Sequence, residues 1–154
     1  MESNDFKLNQ IIEEKNKVNE LTKNGNFIQA EKGYLDIIEK INKISKEDLN
    51  NDILNQKKLV FSNLCLVLNK QNKSKEAKKY DLEIINKIDK KFSKSYARLI
   101  NTYLNENNIT MARYYYSLMK ANCSNDEINK FPEIIIKVDK EIKKKDSLLF
   151  QNIN

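Results

Sequence analysis

The chain has 154 residues, enough to bury one hydrophobic core, and a formal net charge of +6. Two glycines and one proline supply too few turn residues for a β-rich fold, which needs a turn about every ten residues. There is no histidine and there are only two cysteines, which argues against a zinc site and a disulfide framework. No transmembrane-length apolar run or signal-peptide core is visible. We therefore expect an all-α protein of the cytoplasm, without a metal or a cofactor.

Clusters of helix-breaking residues divide an otherwise helix-favouring sequence. They are Asn24-Gly25-Asn26, the polar stretch 45–51, and Phe131-Pro132. Between them, apolar residues at helical spacing predict seven helices, at about 5–23, 27–43, 53–70, 74–87, 92–105, 109–121 and 126–149. Cys65 lies within an apolar run, so we expect it to be a small buried hydrophobic residue.

The segments around three alanines form an internal repeat. Ala30, Ala77 and Ala112 are 47 and 35 residues apart. The third copy has an aromatic residue first and last, with its matching positions at Tyr96, Leu99, Ile100, Tyr103, Ala112 and Tyr116. The second copy keeps Phe61, Leu64, Cys65, Leu68 and Ala77 but has Asp81 last. The first copy is weaker, keeping Val18, Leu21, Ala30 and Tyr34 but starting with Glu14.

This pattern resembles the tetratricopeptide repeat (TPR), a helix pair of about 34 residues. The resemblance implies one domain over residues 1–154, a right-handed superhelix of three helix pairs at about 11–44, 58–90 and 93–124. A capping helix at about 126–149 would cover the open end of the stack. The extra length after the first repeat is assigned to a longer second helix and its loop over 44–51. The single extra residue before the third repeat is assigned to the loop near Lys90.

The first helix of each repeat carries a second stripe, about 200° around the helix from the residues that pack the stack. In a TPR superhelix this face lines the concave groove. The stripe comprises Ile12, Lys15, Asn16 and Asn19, then Leu59, Ser62, Asn63 and Leu66, then Lys94, Ala97, Arg98 and Asn101. It contains no acid, although the chain has 22 acidic residues, and this favours an anionic ligand.

Five stripe residues are similar to the two-carboxylate clamp of TPR co-chaperones. Lys and Asn stand four apart in the first repeat, Asn in the second, and Lys and Arg four apart in the third, as Lys15, Asn19, Asn63, Lys94 and Arg98. The resemblance implies that the ligand is the C-terminal Glu-Glu-Val-Asp tail of cytosolic heat-shock protein 90 or 70 class chaperones. The first three residues would hold the main-chain carboxylate, and the last two the side-chain carboxylates. An apolar shelf for the valine would be formed by Leu59, Leu66 and Ala97.

The resemblance covers residues 6–150 and is greatest to the C-terminal TPR domains of large immunophilins. Their prolyl isomerase domain has no counterpart in this sequence, so isomerase activity is not implied. The family usually has glycine before the clamp asparagine of the first repeat, where this chain has Val18.

Other functions receive less support from the residues. No catalytic constellation is visible, so we do not expect an enzyme. The lysines are spread among acids, and the one local run, 140–145, contains Glu141, so neither nucleic acid nor a membrane is the expected partner. Two alternatives stay open. One is a TPR scaffold that binds a different protein or helix, or itself; the other is a basic helical domain for RNA or an anionic membrane.

Overall fold

The computed structural model describes residues 3–153, and within them the fold is all-α, with no strand. In chain order, the helices are α1 (Asn4–Lys23), α2 (Phe27–Asn42), α3 (Asn51–Lys70), α4 (Ser74–Glu83), α5 (Ser93–Asn105), α6 (Ile109–Asn122), α7 (Asn125–Ile128) and α8 (Pro132–Ile153). A π-helical turn, Ile84–Ile88, extends α4. The all-α prediction is confirmed. None of the helices in the described part is both long and apolar enough to span a bilayer.

The chain forms two compact units, Met1–Ile88 and Asp89–Asn154. In the first unit, α2 packs against α1 and α3, while α3 also packs against α1 and α4. Its core consists of fully buried apolar side chains, the largest being Tyr34, Ile37, Ile41, Ile53, Leu64, Leu68 and Ile84. Cys65 is buried as predicted, and its thiol donates to the Ala77 carbonyl at 3.3 Å.

In the second unit, α5 packs against α6, and α8 packs against both of them. The core of this unit includes Tyr96, Leu99, Ile100, Met119 and Val138. The Tyr96 hydroxyl donates to the Lys90 carbonyl at 2.7 Å, which ties α5 to the segment that precedes it.

The same turn follows α1, α3 and α5. Its central residue has a positive φ in each case, 78° at Gly25, 62° at Asn72 and 57° at Asn107. One residue later, a backbone N–H bonds to the carbonyl five positions earlier, at 2.9, 2.9 and 2.8 Å for Asn26, Lys73 and Asn108. This is the Schellman pattern of helix C-termini. The three turns are 47 and 35 residues apart, the same spacing as the alanines, so the backbone repeats in the register found from sequence.

Two predictions about helix ends are wrong. The single helix expected over 126–149 is two helices, since Pro132 lacks a backbone N–H and begins α8, a position that needs none. The longer second helix of the first repeat is absent because α2 ends at Asn42, and the extra residues lie in the 43–50 connection and in α3. The extra residue expected in the loop near Lys90 stays a prediction; a π-helical turn, which takes up more residues per turn than an α-helix, lies directly before that loop.

The contact between α1 and α2 depends on Gly33. A Cβ atom at this position would lie 2.6 Å from Cγ2 of Val18, which is buried. A β-branched side chain of α1 therefore rests directly on the bare backbone of α2, and the two helices approach closely at this point.

Candidate functional site

Two of the predicted ligand-binding residues meet in the first unit. Asn19 lies on α1 and Asn63 on α3, 44 residues further along the chain. The Nδ2 group of Asn63 donates a hydrogen bond to Oδ1 of Asn19 at 3.0 Å. The packing of α1 against α3 thus joins two amides that the sequence placed on the same ligand-facing stripe, 11 residues before Ala30 and 14 residues before Ala77.

The orientation of the Asn19 amide is set by a buried tyrosine. The Tyr34 hydroxyl donates to Asn19 Oδ1 at 2.5 Å, and the Thr22 hydroxyl lies 3.1 Å from the same tyrosine oxygen. Burial raises the pKa of Tyr34, so it remains a protonated donor at neutral pH. Because Oδ1 of Asn19 accepts two hydrogen bonds, its Nδ2 group points the other way, with both N–H donors available to a ligand. Sequence reasoning assigned Tyr34 only to packing, since the spacing gives its face of the helix but not the partner of its hydroxyl.

Lys15 lies one helical turn before Asn19 on α1 and is half-buried. Its ammonium group donates to Oε1 of Gln56, on α3, at 2.6 Å. Partial burial lowers the pKa of Lys15. Gln56 is neutral, and no carboxylate within residues 3–153 forms an ion pair with Lys15. The positive charge is therefore held in position without being neutralised.

A shallow hollow of about 200 Å³ opens beside the two asparagines. Its lining combines polar groups with one apolar wall and consists of Asn19, Thr22, Lys23, Tyr34, Asn63 and Leu66. Leu66 is 45% exposed, an unusual position for a leucine in a core helix, and Leu59, two turns earlier on α3, is half-buried. Both leucines can offer apolar surface to a ligand.

The other predicted cations lie in the second unit, on α5. Lys94 is exposed and Arg98, one turn later, is half-buried. Ala97 lies between them and is only 2% exposed, so it offers almost no surface for the apolar shelf assigned to it. Ser62 of α3, also placed on the ligand-facing stripe, is likewise buried. Fewer residues of the predicted stripe are therefore accessible to a ligand than expected. An ideal rotation of about 200° around the helix takes no account of the neighbouring residues that cover each position.

Another hollow, of about 400 Å³, lies between α1, the end of α2 and the following connection. It has apolar walls at Ile11 and Ile44. Its charges are paired with one another, Lys7 with Asp48 at 3.2 Å and Lys40 with Glu14 at 2.7 Å. Such pairs leave less net charge for an anion than Lys15 beside the two asparagines.

A scan against models of protein families and a search of curated proteins each find no match to this chain. Within residues 3–153, no group of three or more histidine, cysteine, aspartate or glutamate side chains is arranged to hold a metal ion. The register of the repeat and the geometry around Asn19 are therefore the features that point to a function.

Proposed function

We propose that this chain is a TPR adaptor of the cytoplasm that binds the C-terminal Glu-Glu-Val-Asp tail of heat-shock protein 90 or 70 class chaperones, without catalysing a reaction. The observation that carries the proposal is the hydrogen bond between Asn63 and Asn19, with Tyr34 fixing the amide of Asn19. An amide whose oxygen is already occupied presents N–H donors, which suit a carboxylate. The proposed ligand ends in a carboxylate.

The arrangement of the first unit supports a site for the main-chain carboxylate. Lys15 brings an unneutralised positive charge to the same helix, one turn from Asn19. Charge-assisted hydrogen bonds to a carboxylate contribute about 1.5–3 kcal/mol each before the cost of desolvation. Together with Asn63, these groups form the half of the clamp that holds the end of the peptide chain.

The repeated turn supports the register from which the other half is inferred. Gly25, Asn72 and Asn107 keep the spacing of the repeat, and relative to these turns Lys15 and Asn19 stand three residues later in α1 than Lys94 and Arg98 do in α5. We assign to these two cations the side-chain carboxylates of the final aspartate and of the acid before it. Leu59 and Leu66 are assigned to the valine.

Calorimetry with a peptide ending in Met-Glu-Glu-Val-Asp tests the proposal. A short peptide must be ordered on binding and makes few contacts, so we expect a dissociation constant on the order of micromolar. The same peptide amidated at its C-terminus should not bind, because the amide removes the charge that Lys15 and the two asparagines are proposed to hold.

Matched substitutions test whether peptide binding depends on the clamp residues or only on the net charge of the protein. Lys15→Ala and Arg98→Ala should each abolish measurable binding of the free-acid peptide. Lys32→Ala removes the same charge from an exposed position on α2 and should leave the affinity unchanged. If the free acid fails to bind the unaltered protein, the chaperone function is wrong, and a helical scaffold for another partner is left. Equal losses for all three variants would instead indicate attraction by net charge.

A further inference from the structure

The last helix has two very different faces. On one side of α8, Val138 is fully buried and Ile134, Ile135 and Ile142 are half-buried against α5 and α6. On the other side, the exposed residues between Ile136 and Phe150 include four lysines, namely Lys137, Lys140, Lys143 and Lys144. This segment is about 21 Å long at 1.5 Å per residue. We call these four lysines, with Ile136 and Phe150, the basic face of α8.

The lysines of the basic face keep their positive charge unpaired. Lys137 donates only to the neutral Oδ1 of Asn105, at 3.1 Å. No ion pair joins Lys140, Lys143 or Lys144 to any carboxylate within residues 3–153. Elsewhere in the described chain, exposed lysines such as Lys17, Lys43 and Lys87 pair with a glutamate one turn away on the same helix.

Three of the four acids of α8 are turned away from these lysines or neutralised, and the fourth, Glu133, is exposed in the first turn of the helix, one turn before Lys137. Glu141 is half-buried, on the side of the helix that faces the body of the second unit. Asp139 is half-buried beside the Tyr116 hydroxyl. Asp146 is exposed, but its carboxylate pairs with Arg113 of α6 at 3.0 Å. The presence of Glu141 in the run 140–145 therefore does not interrupt the positive surface, although in sequence it seemed to do so.

The end of α8 carries a cluster of exposed apolar side chains. Leu148 and Leu149 are each 54% exposed and Phe150 is 69% exposed. Helix α6 does not extend beside these residues. The Lys145 ammonium group, earlier on α8, already donates to the hydroxyl of Thr110, in the first turn of α6, at 2.6 Å. Three consecutive large apolar residues thus extend past the packed body of the unit and meet water.

We propose that the basic face of α8 binds an anionic lipid surface, with the lysines at the headgroups and with Leu148 and Phe150, at the two edges of this face, inserted among the acyl chains. A helix of this kind lies in the plane of the interface and does not cross the bilayer. Lysine side chains reach the headgroup charges with their amines while their methylene stems remain in the apolar layer. The inference does not depend on the proposed function, since none of the clamp residues lies on α8.

The apolar cluster favours a lipid surface over a nucleic acid. Phosphates of RNA would satisfy the lysines, and Phe150 could stack on a base, but Leu148 would stay in water. A bilayer interface takes up both kinds of group at once, the amines through anionic headgroups and the apolar side chains through the hydrocarbon boundary.

Sedimentation with vesicles tests the proposal on the full chain. Vesicles of phosphatidylserine and phosphatidylcholine in equal parts should carry the protein down, and pure phosphatidylcholine should not. Each lysine near an anionic surface contributes about fivefold to partitioning, so Lys140→Glu, Lys143→Glu and Lys144→Glu together should lower it by about 100-fold or more.

A second triple variant controls for total charge. Lys32→Glu, Lys46→Glu and Lys75→Glu change three exposed lysines of the first unit and bring the net charge from +6 to zero, as the first variant does. This control should keep most of the vesicle binding. Equal losses in the two variants would overturn the proposal, because binding would then depend on total charge and not on the basic face.

Insertion of the apolar end can be measured separately. The chain has no tryptophan, so Phe150→Trp introduces a single fluorescent reporter. Its emission should shift to the blue when the mixed vesicles are added. Ile28→Trp, at a position that is 78% exposed in the first unit, should show no shift. An unshifted reporter at position 150 would overturn the proposal, as would binding to polyuridylate RNA without binding to vesicles.

Discussion

At the scale of single residues, the proposed clamp depends on a side chain that does not itself face the ligand. Tyr34 is fully buried, yet its hydroxyl reaches Asn19 at 2.5 Å. The hydrogen bond determines which end of the Asn19 amide is presented to the hollow. Tyr34 is thus a positioning residue for the proposed carboxylate site.

Tyr34→Phe should weaken binding of the tail peptide by about tenfold, because the Asn19 amide loses one of the two donors that fix it. The free energy of unfolding should fall by only about 1 kcal/mol, the usual effect of one lost hydrogen bond. Calorimetry and urea denaturation measure the two effects. Tyr116→Phe is the matched control, since Tyr116 holds the same position in the third repeat and bonds to Asp139 instead. Similar losses of affinity in both variants would contradict the positioning role.

Spacing predicted that Asn19 and Asn63 lie on the same ligand-facing stripe, and a hydrogen bond joins the two side chains. Their role in holding a carboxylate stays a prediction. The role of Tyr34 could not be predicted this way, since periodicity distinguishes buried from exposed faces and carries no information on hydroxyl partners. Ala97 was predicted to be exposed to a ligand but is buried, because a helical projection does not include the side chains of neighbouring helices.

At the scale of helices, the close contact between α1 and α2 explains how Val18 is accommodated. The co-chaperones that the sequence pattern resembles usually have glycine at that point of the first helix. Here the larger residue is on α1 and the small residue is Gly33 on α2, with Val18 Cγ2 only 2.6 Å from where a Cβ atom would stand. The missing side chain of Gly33 on α2 therefore leaves the space that Val18 on α1 occupies where the two helices cross.

Gly33→Ala should therefore destabilise the protein by about 1 kcal/mol. Overpacking costs about 1–3 kcal/mol, and the better helix propensity of alanine offsets about 1 kcal/mol of it. Val18 cannot easily move aside, because it is buried and its β-branched side chain has few rotamers. In a double-mutant cycle, adding Val18→Ala should make Gly33→Ala neutral or stabilising. A rise in unfolding free energy for Gly33→Ala alone would show that the contact is not tight.

Helix ends were predictable where a residue type dictates them and not elsewhere. Gly25 marked the end of α1 because it takes up a left-handed conformation at little cost. Asn72 and Asn107 adopt the same conformation but were not singled out, since asparagine is frequent throughout this sequence. Pro132 was noted as a breaker, yet the apolar spacing on both sides of it suggested one helix. The π-helical turn at 84–88 has no side-chain signature in the sequence.

At the scale of the whole molecule, a chain of net charge +6 is proposed to bind a tail rich in carboxylates. Salt screens this attraction, as the Debye length falls from about 10 Å at 0.1 M to about 3 Å at 1 M. Affinity for the tail peptide should fall by about tenfold over that range. The fall should be as steep in the Lys32→Ala variant, which keeps the clamp. An affinity independent of salt would indicate that apolar contacts dominate and that the lysines have another role.

The spacing of the turns also bears on how this chain can change over evolutionary time. Gly25, Asn72 and Asn107 each lie at the centre of the same type of turn. The segment between the first two is nevertheless 12 residues longer than the segment between the last two. Most of the surplus lies in α3, which is longer than α5, and part of it in the connection 43–50, where lengthening a loop adds little entropic cost, about 0.6 kcal/mol for each doubling. Insertions at this connection leave the neighbouring helix pairs in register, so descendants of this sequence can differ in length there while keeping the same core.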